Sequence, residues 1–233
     1  DKQLLGGKGA NLAEMTIVGL PVPPGFTITT EVCDLFYKNN RQYPAGTKEQ
    51  VEENLQKLEQ SLERKFGDRN KPLLVSVRSG AAASMPGMMD TILNLGLNDA
   101  SMEGLAQETG ERRFALDSYR RFIQMFGDVA MGVDPKKFEH ILEEQKAKAG
   151  QRLGQEEGKD TDLNEAELEE VIQGYKKIYK AEKGEDFPQD PMTQLWGAID
   201  SVFGSWNNDR AIHYRRLNDI HGLLGTAVNV QSM

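Results

Sequence analysis

Apolar positions along this chain keep one spacing, lose it, and take it up again, and the changes mark out its elements. Val51, Leu55, Leu58, Leu62 and Phe66 recur at steps of four and three, which lines one face of an amphipathic helix. Leu73–Val77 and Ile92–Leu97 are short apolar runs, and such runs predict strands. Beyond them the helical step returns. Ala115, Tyr119, Phe122 and Phe126 form one stripe, and Leu168, Val171, Ile172, Tyr175 and Tyr179 form another. Leu195, Ile199, Val202, Phe203 and Trp206 form a third. We read these stripes as core faces, not as cofactor contacts. The last residues, 226–233, alternate and are rich in β-formers, which predicts a closing strand.

Punctuation between these runs sharpens the division. Gly6–Gly9 predicts a glycine-dense loop, and Asn11–Val18 a helix. Gly19 ends that helix, and Pro21, Pro23 and Pro24 bar its continuation. Phe26–Thr30 predicts a short strand, followed by a helix through Asp34 and Phe36. Asp134-Pro135 supplies an N-cap and a first-turn proline for a helix carrying Phe138, Ile141 and Leu142. Asn164 and Glu167 have capping-box spacing, and Asp190-Pro191 opens another helix. The polar stretch 150–162 predicts a surface loop, and the charges of 156–170 a solvated face. No internal repeat is present. Mixed elements, then helices, then a final strand predict an α+β fold with an inserted all-helical subdomain.

Composition narrows the function. The chain has 233 residues, 38% hydrophobic and 27% charged. That is ordinary for a soluble globular protein with a real core, in one large domain or two smaller ones. A net charge of −8 disfavours a nucleic-acid role, so any polyanion site must be a local basic spot. Cys33 is the only cysteine, which excludes an internal disulfide and a cysteine-based zinc set and fits a reducing compartment. It reads as a small packing residue. No run approaches a membrane span, and the first residues lack a signal-peptide core. The chain starts at Asp1 and stops inside a strand, which we read as a piece of a longer protein; a natural domain with a docked last strand is the alternative.

The chemistry concentrates in residues 73–99. An apolar run delivers Arg78 to its end, small residues follow from Ser79 to Gly87, and Met88-Met89-Asp90-Thr91 comes next. Small residues let a backbone approach a ligand, and a guanidinium fork suits a phosphate. A strand, a turn and a surface arginine describe the same residues equally well. Lys8, between Gly7 and Gly9, sits where the backbone can also approach a phosphate, although this is no Walker A loop and a solvated lysine fits as well. Asp90 and Thr91 either hold a metal–phosphate network or cap the next element. Met85, Met88 and Met89 either wall a site or pack. Ser79 and Ser84 have no histidine partner for nucleophilic catalysis, and His140, His213 and His221 lack ligand spacing to one another.

The string of residues 73–99 resembles the N-terminal nucleotide-binding region of the pyruvate, phosphate dikinase family. Related phosphoenolpyruvate synthases share a Val-Arg-Ser core but usually lack Ser-Met-Pro-Gly-Met-Met-Asp-Thr. Leu4–Met15, Leu20–Thr30, Ser118–Met131 and Gly225–Met233 extend the resemblance over nearly the whole chain, apart from 143–162. Some members carry an arginine where Ala82 stands, so Ala82 has no phosphate role. The resemblance implies an ATP-grasp-like first lobe, residues 1–101 and 191–233, with residues 102–190 as the helical insertion. It places Lys8 and Arg78 on ATP phosphates, and we expect Gly87, Asp90 and Thr91, in the segment that follows Arg78, in the same ATP-binding site. It implies ATP and Mg2+ as cofactors, with metal ligands beyond Met233.

The resemblance also implies partners outside this chain: a second lobe that closes over ATP, a phosphohistidine domain and a pyruvate-handling barrel. No catalytic residue and no metal ligand is therefore expected here, and Arg210, Arg215 and Arg216 either serve that mobile domain or are plain surface arginines. The implied full-length enzyme interconverts ATP, phosphate and pyruvate with AMP, pyrophosphate and phosphoenolpyruvate. The expectation is a cytoplasmic homodimer, with an organellar copy left open, and neither nucleic acid nor membrane as a partner. A phosphoenolpyruvate-synthase-like or antibiotic-phosphorylating dikinase fragment, or a non-catalytic nucleotide-binding module, is the alternative.

Overall fold

The computed structural model describes residues 1–85, 87 and 90–233. In chain order the elements are α1 (Lys2–Ile17), β1 (Gly25–Ile28), α2 (Thr30–Lys38), α3 (Thr47–Leu62), β2 (Lys65–Phe66), β3 (Pro72–Leu73), β4 (Val75–Ala81) and β5 (Thr91–Leu95). They continue with α4 (Asp99–Thr109), α5 (Arg112–Met125), α6 (Pro135–Leu153), α7 (Glu165–Lys183), α8 (Pro191–Ser205), α9 (Asp209–Leu217) and β6 (Thr226–Ser232).

Four strands form an antiparallel sheet in the order β1-β6-β4-β5, so the last strand of the chain lies inside it. Strand alternation gives the sheet two unlike faces. Val77 pairs with Val230 and with Ile92, and Ile28 pairs with Val228, which makes an apolar face. That face joins the Leu195, Ile199, Val202 and Phe203 stripe of α8 in the core. Thr27, Asn229, Arg78 and Thr91 follow one another in register across the other face, which is polar. Helix α1 lies on that polar face.

The helices between β5 and α8 start where their caps predict. Asp134 accepts from Lys136 N at 3.0 Å ahead of Pro135, and Asp190 accepts from Thr193 N at 2.8 Å ahead of Pro191. Asn164 and Glu167 exchange bonds of 2.8 and 2.9 Å. Asn164→Ala should cost about 1 kcal/mol. A denaturant titration checks this, and nucleotide affinity should stay unchanged, since the cap lies outside the site described below.

Several expectations need correction. The Gly6–Gly9 loop is helix, interrupted only at Gly6. The apolar run before Arg78 divides into β3 and β4, and β4 continues to Ala81, so Arg78 lies within a strand and Ser79–Ala81 are not loop. Small residues pair well there because β6 supplies every partner from Ser232 to Thr226. Phe66 belongs to β2, since α3 closes at Leu62 and Glu63 turns left-handed. Phe126 opens a π-helical turn after α5. Residues 154–159 form the expected surface loop, but α6 runs on to Leu153 and the buried guanidinium of Arg120 holds Asp160 at 2.5 Å. Phe187, on the α7–α8 connection, sits 5.4–5.7 Å from the rings of Phe122, Phe126 and Tyr179.

Candidate functional site

Helix α1 reaches the sheet through its interruption. Gly6 has φ 69° and ψ 174°, a region open in practice only to glycine. A Cβ there would lie 1.6 Å from the Gly80 carbonyl oxygen. The second helical segment therefore starts against β4. Its first N–H groups lack intrahelical partners. Gly9 comes close to the sheet as well, where a Cβ would lie 2.8 Å from Asn229 Oδ1. Asn229 is buried and accepts from the Thr27 hydroxyl at 2.9 Å. The Gly80 N–H donates to Thr226 Oγ1 at 3.2 Å.

Between this helix start and the end of β4 lies a pocket of about 380 Å³. Lys8 and Asn11 line one side; Ser79 to Met85 and Gly87 line the other. Gly87 is exposed at φ 71°, and among the described residues nothing lies within 4 Å of the position of a Cβ. Met85 is buried and packs, while Met88 and Met89 lie outside the described residues.

The pocket is electropositive. Lys8 and Arg78 are exposed, and among the described residues neither has an acidic partner. Burial, and then the Arg78 charge, hold the Lys8 ammonium below the usual lysine range. An anion between the two would relieve both effects. Binding an anion needs protonated Lys8, so affinity is full below its pKa and falls as pH rises through it. Because that pKa is lowered, ATP affinity should decline at a lower pH than an ordinary lysine would give. Lys8→Arg should carry the affinity to higher pH, since a guanidinium stays charged. Titrations across the alkaline range check both.

Register decides where the other candidates go. Thr91 is directly opposite Arg78 and shares its polar face. Thr91 also borders a second depression, with Arg121 and Gln124 of α5. Asp90, one residue earlier, turns towards α8. Its Oδ2 lies 3.0 Å from the Ser201 hydroxyl, which is 2.8 Å from the Val129 carbonyl oxygen. Burial raises the Asp90 carboxyl above the usual aspartate range, while Ser201 and Arg210 lower it and Asp128 raises it. Asp90 thus ties the end of the small-residue segment to α8. Lys8 and Gly87 line one pocket, Arg78 acts on Lys8 from the neighbouring face, Thr91 adjoins Arg78, and Asp90 faces away.

Four other residues singled out in the sequence, Arg215, Cys33, His140 and His221, have structural explanations. Arg215 stacks 4.0 Å above the Trp206 ring and donates to the Trp206 carbonyl oxygen at 2.6 Å. Cys33 is buried in the core, which raises its thiol to about 11. His140 pairs with Glu144 at 3.2 Å, and His221 with Asp219 at 2.8 Å. Among the described residues no carboxylate lines the Lys8 pocket and no three of His, Cys, Asp or Glu converge on one point. These residues alone do not fit a magnesium ion. Sequence reasoning missed Asn229 and Asn11. An asparagine inside an alternating apolar strand is the signal that marks Asn229; Asn11 carries none until the helix is seen to run through the glycines.

Comparison with known proteins shows the family of the chain. The family model for the pyruvate phosphate dikinase AMP/ATP-binding domain matches residues 2–45 and 43–233. The pyruvate, phosphate dikinase of Rhizobium meliloti (strain 1021) is 57% identical over 233 residues. Those of Clostridium symbiosum and Giardia intestinalis are each 55% identical, over 233 and 232 residues. All three alignments cover 100% of this chain but only 25%, 26% and 26% of the relatives. The chain spans about a quarter of the length of the curated relatives it matches.

Proposed function

This chain belongs to the pyruvate phosphate dikinase AMP/ATP-binding domain family, and from that premise we propose that Lys8 and Arg78 bind the phosphates of ATP on one side of a nucleotide cleft. The observation that carries the reading is a pocket lined by Lys8 and by a backbone of small residues, with the Arg78 charge close enough to act on Lys8 and, among the described residues, no acidic partner for either cation. Phosphoryl transfer needs positive charge held in place on the phosphates, and these residues supply it. Gly87 lets the backbone close on the ligand, Thr91 offers a hydroxyl beside Arg78, and Asp90 positions the segment through Ser201.

Residues 1–101 and 191–233 form the ATP-grasp-like lobe in this reading, because all four strands of the main sheet come from them, and residues 102–190 form the insertion. The second lobe, the magnesium ligands and the phosphohistidine domain belong to the remainder of the full-length protein. That protein is proposed to interconvert ATP, phosphate and pyruvate with AMP, pyrophosphate and phosphoenolpyruvate. A cytoplasmic homodimer is part of the same proposal and rests on the resemblance alone. The test is product analysis of the full-length protein supplied with ATP, phosphate, pyruvate and magnesium. AMP and pyrophosphate should appear together and only with phosphate present, and Lys8→Ala should suppress both. Formation of ADP, or of AMP without any need for phosphate, would refute the reading.

A further inference from the structure

The interrupted helix brings a second lysine to the pocket. On a continuous helix Lys2 and Lys8, six residues apart, would point about 120° away from each other at 3.6 residues per turn. The break at Gly6 removes that constraint, and both lysines line the same pocket. The stem of Lys2 runs beside Gly7, where a Cβ would lie 3.6 Å from Lys2 Cε. Asp1 fixes this first turn by accepting from Gln3 N at 2.7 Å. Lys2 is exposed and, among the described residues, has no ion pair or side-chain hydrogen bond. Lys2 and Lys8 thus line one space, the Arg78 charge acts on Lys8 from beside it, and among the described residues no carboxylate lines it.

We propose that Lys2 is a further phosphate-binding residue of this pocket and selects a triphosphate over a monophosphate. The inference deepens the ATP-pocket reading and rests on it. A single phosphate can be satisfied by Lys8 and Arg78. A triphosphate carries more charge over a greater length, and only its outer phosphates need another cation. Selectivity is a difference between two affinities, so a contact open to AMP and ATP alike contributes nothing to it. Lys2 stands on the turn before the break and meets only the longer ligand.

The test compares ATP, AMP and inorganic tripolyphosphate by calorimetric titration of this 233-residue chain at low salt. Lys2→Ala and Lys2→Gln should each weaken ATP and tripolyphosphate about fivefold, the upper range for a solvent-open ion pair, and leave AMP within about twofold. Lys2→Gln keeps most of the stem beside Gly7, so it guards against a local packing effect. Lys2→Arg should restore the affinity, and melting temperatures should stay together. Unchanged ATP and tripolyphosphate binding in the Lys2 variants, with a clear loss in Lys8→Ala, would overturn the Lys2 assignment and leave the ATP pocket standing. No loss in either position would overturn both. Equal losses for AMP and ATP would overturn the selective role.

Discussion

Arg78→Ala in the full-length protein should reduce the ATP half of the reaction about a hundredfold and leave the pyruvate half nearly intact. A charged hydrogen bond contributes about 1.5–3 kcal/mol, and a guanidinium can make two in parallel to one phosphate. Each 1.4 kcal/mol is about tenfold in rate. The fold should barely respond. Arg78 is exposed, has no ion pair among the described residues, and leaves its β4 backbone pairing intact when truncated. Stability should move by about 0.5 kcal/mol or less. Arg78→Lys should recover only part of the loss, because it keeps the charge and loses the fork. Isotope exchange measured separately for each half-reaction checks this. Equal loss in both halves would mean that Arg78 supports the whole protein and not the nucleotide.

Gly6→Ala should be among the most destabilising single substitutions in the chain. Its backbone lies in a region that costs other residues about 1–3 kcal/mol. The added methyl would also fall 1.6 Å from the Gly80 carbonyl oxygen, and forced overpacking adds about 1–3 kcal/mol more. Together these give about 2–6 kcal/mol. Gly110 provides the control, since it too has positive φ, at 71°, but has nothing within 4 Å of a Cβ. Gly110→Ala should therefore show only the conformational part, about 1 kcal/mol. Chemical denaturation of both variants reads the excess loss at Gly6, which combines its glycine-only backbone (ψ 174° against 7° at Gly110) with the collision. If the two lost equal stability, the close approach of α1 to β4 would be wrong. Gly6→Ala should also weaken ATP binding in whatever fraction stays folded, because the same approach positions Lys8.

Local chemistry was legible in the sequence, and pairing across the chain was not. The Asn164–Glu167 box and the Asp134 and Asp190 caps depend on residues three apart or fewer, so the structure repeats them directly. The apolar stripes of α5, α7 and α8 behave likewise. Glycine density at Gly6–Gly9 suggests a loop by propensity, yet tertiary contact with Gly80 and Asn229 selects a helix with one break. The extent of β4 was hidden because Ser79–Ala81 are small and nondescript; their partners lie in β6 near the other end of the chain. Lys8 and Gly87, grouped by the sequence reading, line one pocket. The alternation that sends Thr91 to Arg78 and Asp90 to Ser201 required the register.

The most direct test of the phosphate pocket is titration of ATP into this chain at low and high salt, with and without magnesium, beside the Lys8→Ala/Arg78→Ala double variant. A pocket open to water on one side should bind ATP weakly and lose affinity steeply with salt. Screening shortens from about 10 Å at 0.1 M to about 3 Å at 1 M ionic strength. Magnesium should add little, because among the described residues no carboxylate lines the pocket, and the double variant should show no measurable binding. Tight binding that ignores salt, depends on magnesium, or survives the loss of both cations would contradict the assignment of Lys8 and Arg78 to the phosphates of ATP.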